Sequence, residues 1–166
     1  MQKTRDAPPT AATTDMLDAF RALSPQSRAF THHERDAHAD SLLERFSDDE
    51  GYTYWFDPRH GAIARAEAPA RDHQTSHAPR PENRLPVILL RDRAVALIDR
   101  QRAGFRDALS TFHPYEGNEK RNVYRFRWED CGTPLAESAA PPYIEVTLRA
   151  DGLLLEYVNC LAPRDA

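Results

Sequence analysis

Residues 143–158, YIEVTLRADGLLLEYV, decide the fold because they contain two strands and the turn that joins them. Apolar and polar residues alternate over Tyr143–Leu148, which is the period of a strand with one buried face. The Ala-Asp-Gly sequence at 150–152 is typical of a hairpin turn, and Leu153–Asn159 returns as the second strand. An earlier segment, VYRFRW at 123–128, alternates in the same way. The sequence therefore predicts a three-stranded antiparallel meander.

The clearest predicted helix precedes these strands and runs from about Leu89 to Phe112. Its apolar residues recur every three or four positions, and arginines occupy many of the other positions. A sheet with one apolar face and a helix with one apolar stripe bury both by packing together. The predicted fold class is therefore α+β, with an antiparallel sheet packed against one long helix.

The first half of the chain is predicted to contain two N-terminal helices and a hairpin. The helices cover Asp15–Leu23 and Pro25–Phe46, where Ser24-Pro25 has the residues of a helix start. The hairpin joins the aromatic strand Tyr52–Phe56 to the strand Ala62–Glu67. Helix followed by strands thus occurs twice, which suggests an internal duplication.

The predicted domain organisation is simple. Residues 1–13 are polar and rich in Pro, Thr and Ala, and we expect a disordered tail. Residues 14–166 are expected to form a single α+β domain. Within that domain, the Pro-rich residues 69–86 are predicted to form a long linker-like loop.

Composition and charge limit the classes of protein to which this chain can belong. The longest apolar run, Val87–Leu90, is far shorter than the roughly 18 residues of a membrane-spanning helix. The N-terminus lacks the apolar core of a secretory signal, so we expect a cytoplasmic protein. The net charge is −4, yet residues 58–106 carry ten arginines and five acidic residues. A basic middle third between two acidic thirds has two explanations: charge matching within the molecule, or an arginine-bearing surface for an acidic partner.

The segment 105–158 resembles the helix-plus-meander units of PepSY and YcdB-type domains. In that family a helix precedes an aromatic strand and a hairpin with a glycine turn, as in VYRFRW (123–128) and YIEVTLRADGLLLEYV (143–158). YTYWFDPRHGAIARAE at 52–67 has the same pattern. The resemblance implies a non-catalytic domain that modulates or inhibits a partner protein. Members of the family are usually exported, whereas this sequence shows no export signal.

Sequence motifs of catalysis are absent, including G-x-S-x-G and a glycine-rich phosphate loop. The densest polar cluster is HHERDAH at 32–38. A zincin needs two histidines four residues apart on one helical face, but His33 and His38 are five apart. His32, Asp36 and His38 are candidate ligands of a looser metal site, and the alternative is a solvated helix face. We predict neither a metal nor a cofactor.

The lack of catalytic motifs favours a non-catalytic protein-binding module, such as an inhibitor, an immunity-type protein or an adaptor. The candidate binding residues are aromatic or arginine side chains: Trp55, Arg93, Arg100, Arg125 and Arg127. The alternative for Trp55 is that the N-terminal helix covers it. The expected partner is another protein with an acidic surface. Nucleic acid is disfavoured because Arg125 and Arg127 alternate away from the neighbouring aromatic residues. The sequence leaves the oligomeric state open.

The alternative function is a small-ligand-binding or enzymatic α+β domain with a pocket between sheet and helix. It requires a cavity larger than about 300 Å³ into which polar groups converge. The sequence favours a protein that is not an enzyme, without deciding the question.

Overall fold

The computed structural model describes residue 17 and residues 29–33, 43–73, 79–120, 122–132 and 140–161. The described strands form one eight-stranded antiparallel sheet. They are β1 (Phe30–His33), β2 (Glu44–Asp48), β3 (Thr53–Asp57), β4 (Ala62–Glu67), β5 (His113–Lys120), β6 (Val123–Glu129), β7 (Tyr143–Arg149) and β8 (Leu154–Asn159). Their order across the sheet is β1-β2-β3-β4-β8-β7-β6-β5. Two four-stranded meanders therefore meet where β4 pairs with β8.

The long helix of the sequence analysis is present as α1, which covers Val87–Gln101. Its buried apolar stripe contains Leu90, Ala94, Leu97 and Ile98. The helix ends eleven residues before the predicted end at Phe112. The chain then turns through Gly104 at φ +78° and forms a short 3₁₀ helix at Leu109–Thr111. Apolar spacing continues past Gln101, but glycine in the left-handed region interrupts the helix.

The inner face of the sheet packs against α1 in one hydrophobic core. The side chains of Phe126, Trp128, Ile144 and Val146 are almost completely buried there. Phe105, which follows α1, meets the Trp128 ring edge to face, with the ring centroids 5.7 Å apart. This arrangement confirms the predicted α+β class, with an antiparallel sheet against a helix.

The helix runs from one hairpin turn to another. Just before α1, the Leu85 N–H donates to the Ala150 carbonyl in the β7–β8 turn at 2.8 Å. At the other end, Gln101 approaches the β3–β4 turn. The two turns lie at opposite ends of the sheet because β4 and β8 are antiparallel. The two ends of α1 therefore lie near two different hairpin turns.

The predicted helix over Pro25–Phe46 is wrong in the described residues, which form β1 and β2 there. The inward-facing residues alternate as in a strand: Phe30 contacts the Tyr54 ring, and His32 contacts the Phe46 ring at 4.8 Å between centroids. Tertiary packing of these rings prevails over the helix-start signal. Of the first predicted helix, only Leu17 is described; it is helical and 1% exposed.

The other strand predictions divide into confirmed and missed elements. β3, β4, β6, β7 and β8 confirm the predicted hairpin and meander. β5 was not predicted, because its sequence HPYEGNEK lacks apolar alternation and contains Pro114 and Gly117. β5 lies at the edge of the sheet, where a missing proline N–H is tolerated.

The predicted tail, 1–13, and residues 74–78 of the predicted loop lie outside the described residues. The described parts of that loop contain two short 3₁₀ helices, Ala70–His73 and Pro81–Asn83. Within the described part of the chain, no helix has the length and apolar character needed to cross a membrane.

Candidate functional site

Two regions of the structure bring polar and aromatic side chains together. The first is the sheet face opposite α1, which we call the outer face. The second is a cavity of about 280 Å³ between the β3–β4 turn, the end of α1 and the end of β8, which we call the hairpin pocket. The first extends across all eight described strands, and the second falls just below the roughly 300 Å³ that the ligand-binding alternative requires.

A row of side chains crosses the outer face from one sheet edge to the other. Directly opposed residues of antiparallel strands project from the same face, about 5 Å apart. The register places one residue of each strand in what we call the cross-strand row: His33, Arg45, Trp55, Arg65, Val158, Glu145, Arg127 and Tyr115. Trp55 and Arg127, two of the predicted binding residues, belong to this row. Arg125 lies two residues from Arg127 on the same face.

Trp55 is half-buried beneath an arginine. The Arg65 guanidinium carbon lies 5.3 Å from the Trp55 ring centroid, and Arg65 Nη2 lies 2.9 Å from Glu156 Oε1. Stacking on a cation restricts the ring, and the ion pair restricts the guanidinium. The Trp55 side chain is therefore held in position on the outer face.

A network of arginines and carboxylates occupies the β6–β7 part of the outer face. Arg125 Nε lies 3.3 Å from Glu145 Oε1, and Arg127 Nε lies 2.8 Å from Glu129 Oε1. The Arg127 guanidinium also stacks on the Tyr143 ring, 3.7 Å from its centroid. Glu145 is only 8% exposed although it belongs to the outer face. Neighbouring side chains thus shield this network from solvent, which strengthens its ion pairs.

The two remaining predicted binding residues lie on α1, on the other side of the sheet. Arg93 is half-buried next to Gly152, and Arg100 is exposed. The five residues therefore do not form one surface: Trp55, Arg125 and Arg127 share the outer face, and the two helix arginines do not.

An apolar group is exposed at the start of α1. Val87, Ile88 and Leu89 are 42%, 60% and 50% exposed. Large exposed apolar side chains in consecutive positions are typical of contact surfaces. This group lies on the helix layer, away from the cross-strand row.

The structure gives no support to the candidate metal ligands in the part that it describes. His32 lies on β1 rather than on a helix, with Nε2 3.7 Å from Glu44 Oε2 and its ring against Phe46. Asp36 and His38 lie outside the described residues. Within the described ranges, no three His, Cys, Asp or Glu side chains are grouped to hold a metal ion.

The hairpin pocket has a charged edge formed by the β3–β4 turn. The Asp57 side chain accepts hydrogen bonds from Arg59 Nε at 3.0 Å and Arg59 Nη2 at 2.8 Å. These bonds hold the pKa of Asp57 below its ordinary range, and neighbouring His60 acts in the same direction. His60 Nδ1 lies 3.1 Å from Asp57 Oδ2. The His60 ring nitrogen is thus within hydrogen-bonding distance of the carboxylate.

The inner wall of the hairpin pocket contains a buried amide without a partner. Gln101, the last residue of α1, is 9% exposed, and neither its Nε2 nor its Oε1 has a hydrogen-bond partner among the described residues. Buried polar atoms without partners are rare in folded proteins, and each requires a physical explanation. Neither amide atom touches solvent-accessible space, so the amide lies behind the pocket surface.

The end of β8 supplies the remaining polar side of the pocket. Asn159 and Arg102 line it, and both neighbour the Tyr157 hydroxyl beneath the pocket. Complete burial raises the pKa of Tyr157, and Arg102 and Asn159 offset part of that rise. Tyr157 therefore stays protonated and neutral in the physiological range.

The sequence analysis missed the hairpin pocket, although one signal for it exists. Gln101 follows Leu97 and Ile98 by four and three residues, so it falls on the apolar stripe of α1. A polar residue on a buried stripe indicates an internal hydrogen bond or a site. Asp57 and His60 belong to the β3–β4 turn, and their proximity to Gln101 depends on the tertiary fold.

The architecture defines the class: an α+β domain whose single antiparallel sheet consists of two meanders joined edge to edge. Among solved structures, the Bacillus megaterium YpeB C-terminal domain has a similar fold, with a TM-score of 0.61 and 11% sequence identity. The match covers 98% of this chain and 70% of that one. No family model matches the sequence, and no curated protein matches it. At this identity the likeness concerns the fold.

Proposed function

We propose that this chain is a non-catalytic protein-binding module and that it contacts its partner through the outer face. The observation that carries the proposal is the cross-strand row, in which aromatic and arginine side chains lie on the sheet face opposite α1. Tyr115 at one end of the row is 57% exposed, and Arg45 near the other end is exposed as well.

The composition of the row is that of an interaction surface. Trp, Tyr and Arg are the residue types enriched among those that contribute most to protein–protein binding. Trp55 and Arg127 are already restrained by stacking and ion pairs. Less side-chain freedom is lost on binding when the contact residues are ordered beforehand.

The charges of the row favour a partner with acidic groups opposite β2 and β4. Arg125 and Arg127 are engaged with Glu145 and Glu129. Arg45, by contrast, is exposed and forms no ion pair with a described residue. A carboxylate of the partner can therefore pair with Arg45 next to Trp55.

We also infer a distant relationship to PepSY-type domains and a cytoplasmic location. The first is supported by the resemblance of residues 105–158 and by the fold shared with the PepSY-containing YpeB C-terminal domain. Detection of the protein in cell fractions tests the compartment, and recovery with membranes or in the medium would contradict it.

Affinity capture with the tagged chain tests the binding proposal. Proteins retained from a lysate of the source cells are identified, and the affinity of each purified partner is measured. Trp55→Ser and Arg45→Glu should each weaken binding at least about tenfold, which corresponds to about 1.4 kcal/mol. Arg80→Glu makes the same charge change at a side chain that is 82% exposed on a loop. It should retain wild-type affinity.

A further variant discriminates between surfaces. Ile88→Ser removes an exposed apolar side chain at the start of α1. If this change abolishes binding while Trp55→Ser does not, the partner contacts the helix layer and the outer-face proposal is wrong. Failure to retain any partner would contradict the binding-module proposal itself.

A further inference from the structure

We propose that the chain pairs with a second copy of itself through β5, so that two sheets join edge to edge in an antiparallel dimer. Among the described strands, β5 pairs with β6 alone and ends the sheet. It is eight residues long, whereas β1 at the opposite edge has four. The interface is an edge of the sheet and not its outer face, so this inference goes beyond the proposed function.

The hydrogen bonds at the two ends of β6 show which side each of its residues faces. In an antiparallel pair, alternate residues direct both their N–H and their C=O toward the neighbouring strand. The Asp130 N–H donates to the Pro142 carbonyl at one end. At the other end, the Asn122 carbonyl accepts from the Ala150 N–H. The even-numbered residues of β6 therefore face β7, and the odd-numbered residues face β5.

The backbone groups of β5 that face away from the sheet follow from the register. Odd-numbered residues of β5 lie opposite odd-numbered residues of β6 as far as Asn118, so they supply the bonds to β6. The outward groups belong to the even-numbered residues: Pro114, Glu116 and Asn118. A proline without an N–H fits an outward position, because β6 loses no hydrogen bond there. Within the described part of the chain, no loop or turn forms a backbone hydrogen bond to these groups.

The outward groups are self-complementary about Gly117. When two copies of β5 run antiparallel with Gly117 opposite Gly117, Glu116 of each copy lies opposite Asn118 of the other. Each such pair exchanges two backbone hydrogen bonds, so four bonds form and both outward N–H groups of each copy are satisfied. Pro114 bounds this segment at one end, and the register shift between Asn118 and Lys120 bounds it at the other. A second copy matches these bounds, whereas a longer foreign strand would lie opposite a residue without a donor.

The glycine at the centre of this pairing permits the closest approach of the two strands. At a pair of this kind the two Cα atoms lie only about 4.5 Å apart. Glycine within a strand often marks a place where another backbone comes close. Gly117 does not have a positive φ, so a turn conformation does not account for it. The Tyr115 ring, which is 57% exposed, lies 3.4 Å from the position that a Cβ of Gly117 would take. In the dimer, the two Tyr115 rings therefore flank the glycine pair.

Sedimentation velocity of the purified chain over a concentration series tests the proposal. We expect a monomer–dimer equilibrium with a Kd on the order of 10 μM, because four hydrogen bonds and little apolar area form a small interface. Glu116→Pro removes an N–H that β6 does not use and abolishes two of the four bonds between copies. It should weaken the dimer at least about tenfold. Glu116→Gln makes a change at the same position but keeps the N–H, and it should not weaken the dimer. Far-UV circular dichroism shows whether each variant keeps its sheet.

Cysteine cross-linking tests the register. The background is the chain with Cys131→Ser and Cys160→Ser, since both native cysteines are exposed. Gly117→Cys should form an intermolecular disulfide under mild oxidation, because a Cα separation of about 4.5 Å lies within the range of disulfides. His113→Cys is the matched control on the same strand. Its counterpart in the other copy lies eight residues further along, about 27 Å away, so it should not cross-link.

Three results would each overturn the proposal: a chain that stays monomeric at about tenfold the expected Kd, a dimer unaffected by a folded Glu116→Pro chain, or equal cross-linking of the two cysteine variants. If Glu116→Pro does not fold, the cysteine variants decide. A chain that is monomeric alone, but loses a captured partner through Glu116→Pro, would show that the edge takes a strand of that partner, and the second-copy proposal is then wrong. Sedimentation contains no partner, so its outcome is independent of the outer-face proposal.

Discussion

The β3–β4 and β7–β8 hairpins are built alike but are packed differently. In each turn an Asp accepts the backbone N–H two residues later, at 2.9 Å for Asp57 and 3.2 Å for Asp151. Each Asp also binds an arginine two positions away, and each turn contains one glycine at positive φ, Gly61 at +59° and Gly152 at +86°. The same local chemistry thus closes both hairpins.

The surroundings of the two turns depend on which end of α1 lies near them. The segment entering α1 covers the β7–β8 turn: a Cβ added at Gly152 would lie 2.8 Å from Arg93 Nη1 and 3.0 Å from Leu85 Cδ1. A Cβ added at Gly61 would meet no atom within 4 Å. The helix ends before it can fill the space at the β3–β4 turn. Local turn chemistry therefore fixes the hairpin, and helix length decides whether a pocket remains beside it.

The largest expected difference between the hairpins concerns their glycines. Gly152→Ala combines a positive φ with displacement of packed side chains, and we expect it to lower the free energy of unfolding by about 2 kcal/mol. Gly61→Ala has only the backbone cost, about 1 kcal/mol. Chemical denaturation of both variants measures the two values.

A double variant sharpens this comparison. If contact with Arg93 contributes to the cost at Gly152, the loss should be smaller when Arg93→Ala is already present. Equal losses at Gly61 and Gly152 would mean that packing by Leu85 and Arg93 does not distinguish the two turns.

The next effect concerns the pocket beside the β3–β4 turn. Gln101→Leu replaces a buried amide without partners by an apolar side chain, and it should raise the free energy of unfolding by about 1 kcal/mol. Thermal unfolding in the absence of ligand measures the change. A decrease would show that ordered water already satisfies the Gln101 amide.

A smaller difference is expected in the pH dependence of the two Asp–Arg pairs. Burial alone would raise the pKa of Asp151, but hydrogen bonds from Arg149 and Leu153 lower it overall; bonds from Arg59 lower the pKa of Asp57. Because both folded pKa values are depressed, each pair stabilises the fold above the ordinary carboxyl range. That contribution is lost as the pH falls from about 4 through the folded pKa.

Asparagine variants separate the two contributions. Asp151→Asn should flatten the acid limb of the Tm-against-pH curve more than Asp57→Asn does. The reason is shielding of the arginine: the Arg149 side chain is 16% exposed and that of Arg59 is 52% exposed. This difference is larger than the opposite one between the carboxylates, which are 24% exposed at Asp151 and 9% at Asp57. Identical curves for the two variants would contradict a role for shielding.

The contrast between local turn chemistry and tertiary packing explains how much of the fold and of the candidate site the sequence predicts. Both hairpins follow from local patterns, because strand alternation and Asp-Gly turn chemistry act over a few residues. The strands β1 and β5 do not follow from local patterns. The β5 sequence, HPYEGNEK, is stabilised as a strand by its pairing with β6. Of the predicted binding residues, alternation places Arg125 and Arg127 on one face of β6. Only the pairing across the sheet shows that Trp55 shares that face and that the sheet separates all three from Arg93. The hairpin pocket joins residues more than forty positions apart, and only the fold brings them together.

The smallest expected effect lies at the seam between the two hairpins, which is the pairing of β4 with β8. Arg65 on β4 and Glu156 on β8 form an ion pair of 2.9 Å, but their side chains are 46% and 28% exposed. Exposed pairs of this kind contribute about 0.2–1 kcal/mol, so Arg65→Met should lower the free energy of unfolding by on the order of 0.5 kcal/mol. Arg80→Met, at a more exposed pair on a loop, is the control and should change it less.

The ion pair is expected to matter little because the seam has stronger contacts. On the inner face, Ala66 of β4 lies opposite Tyr157 of β8, and both are completely buried. Backbone hydrogen bonds and this apolar contact hold the meanders together, and neither is screened by salt. The effect of Arg65→Met should therefore shrink in high salt while the seam persists. A loss well above 1 kcal/mol that salt does not reduce would show instead that Arg65, stacked on Trp55, is a structural link between the two hairpins.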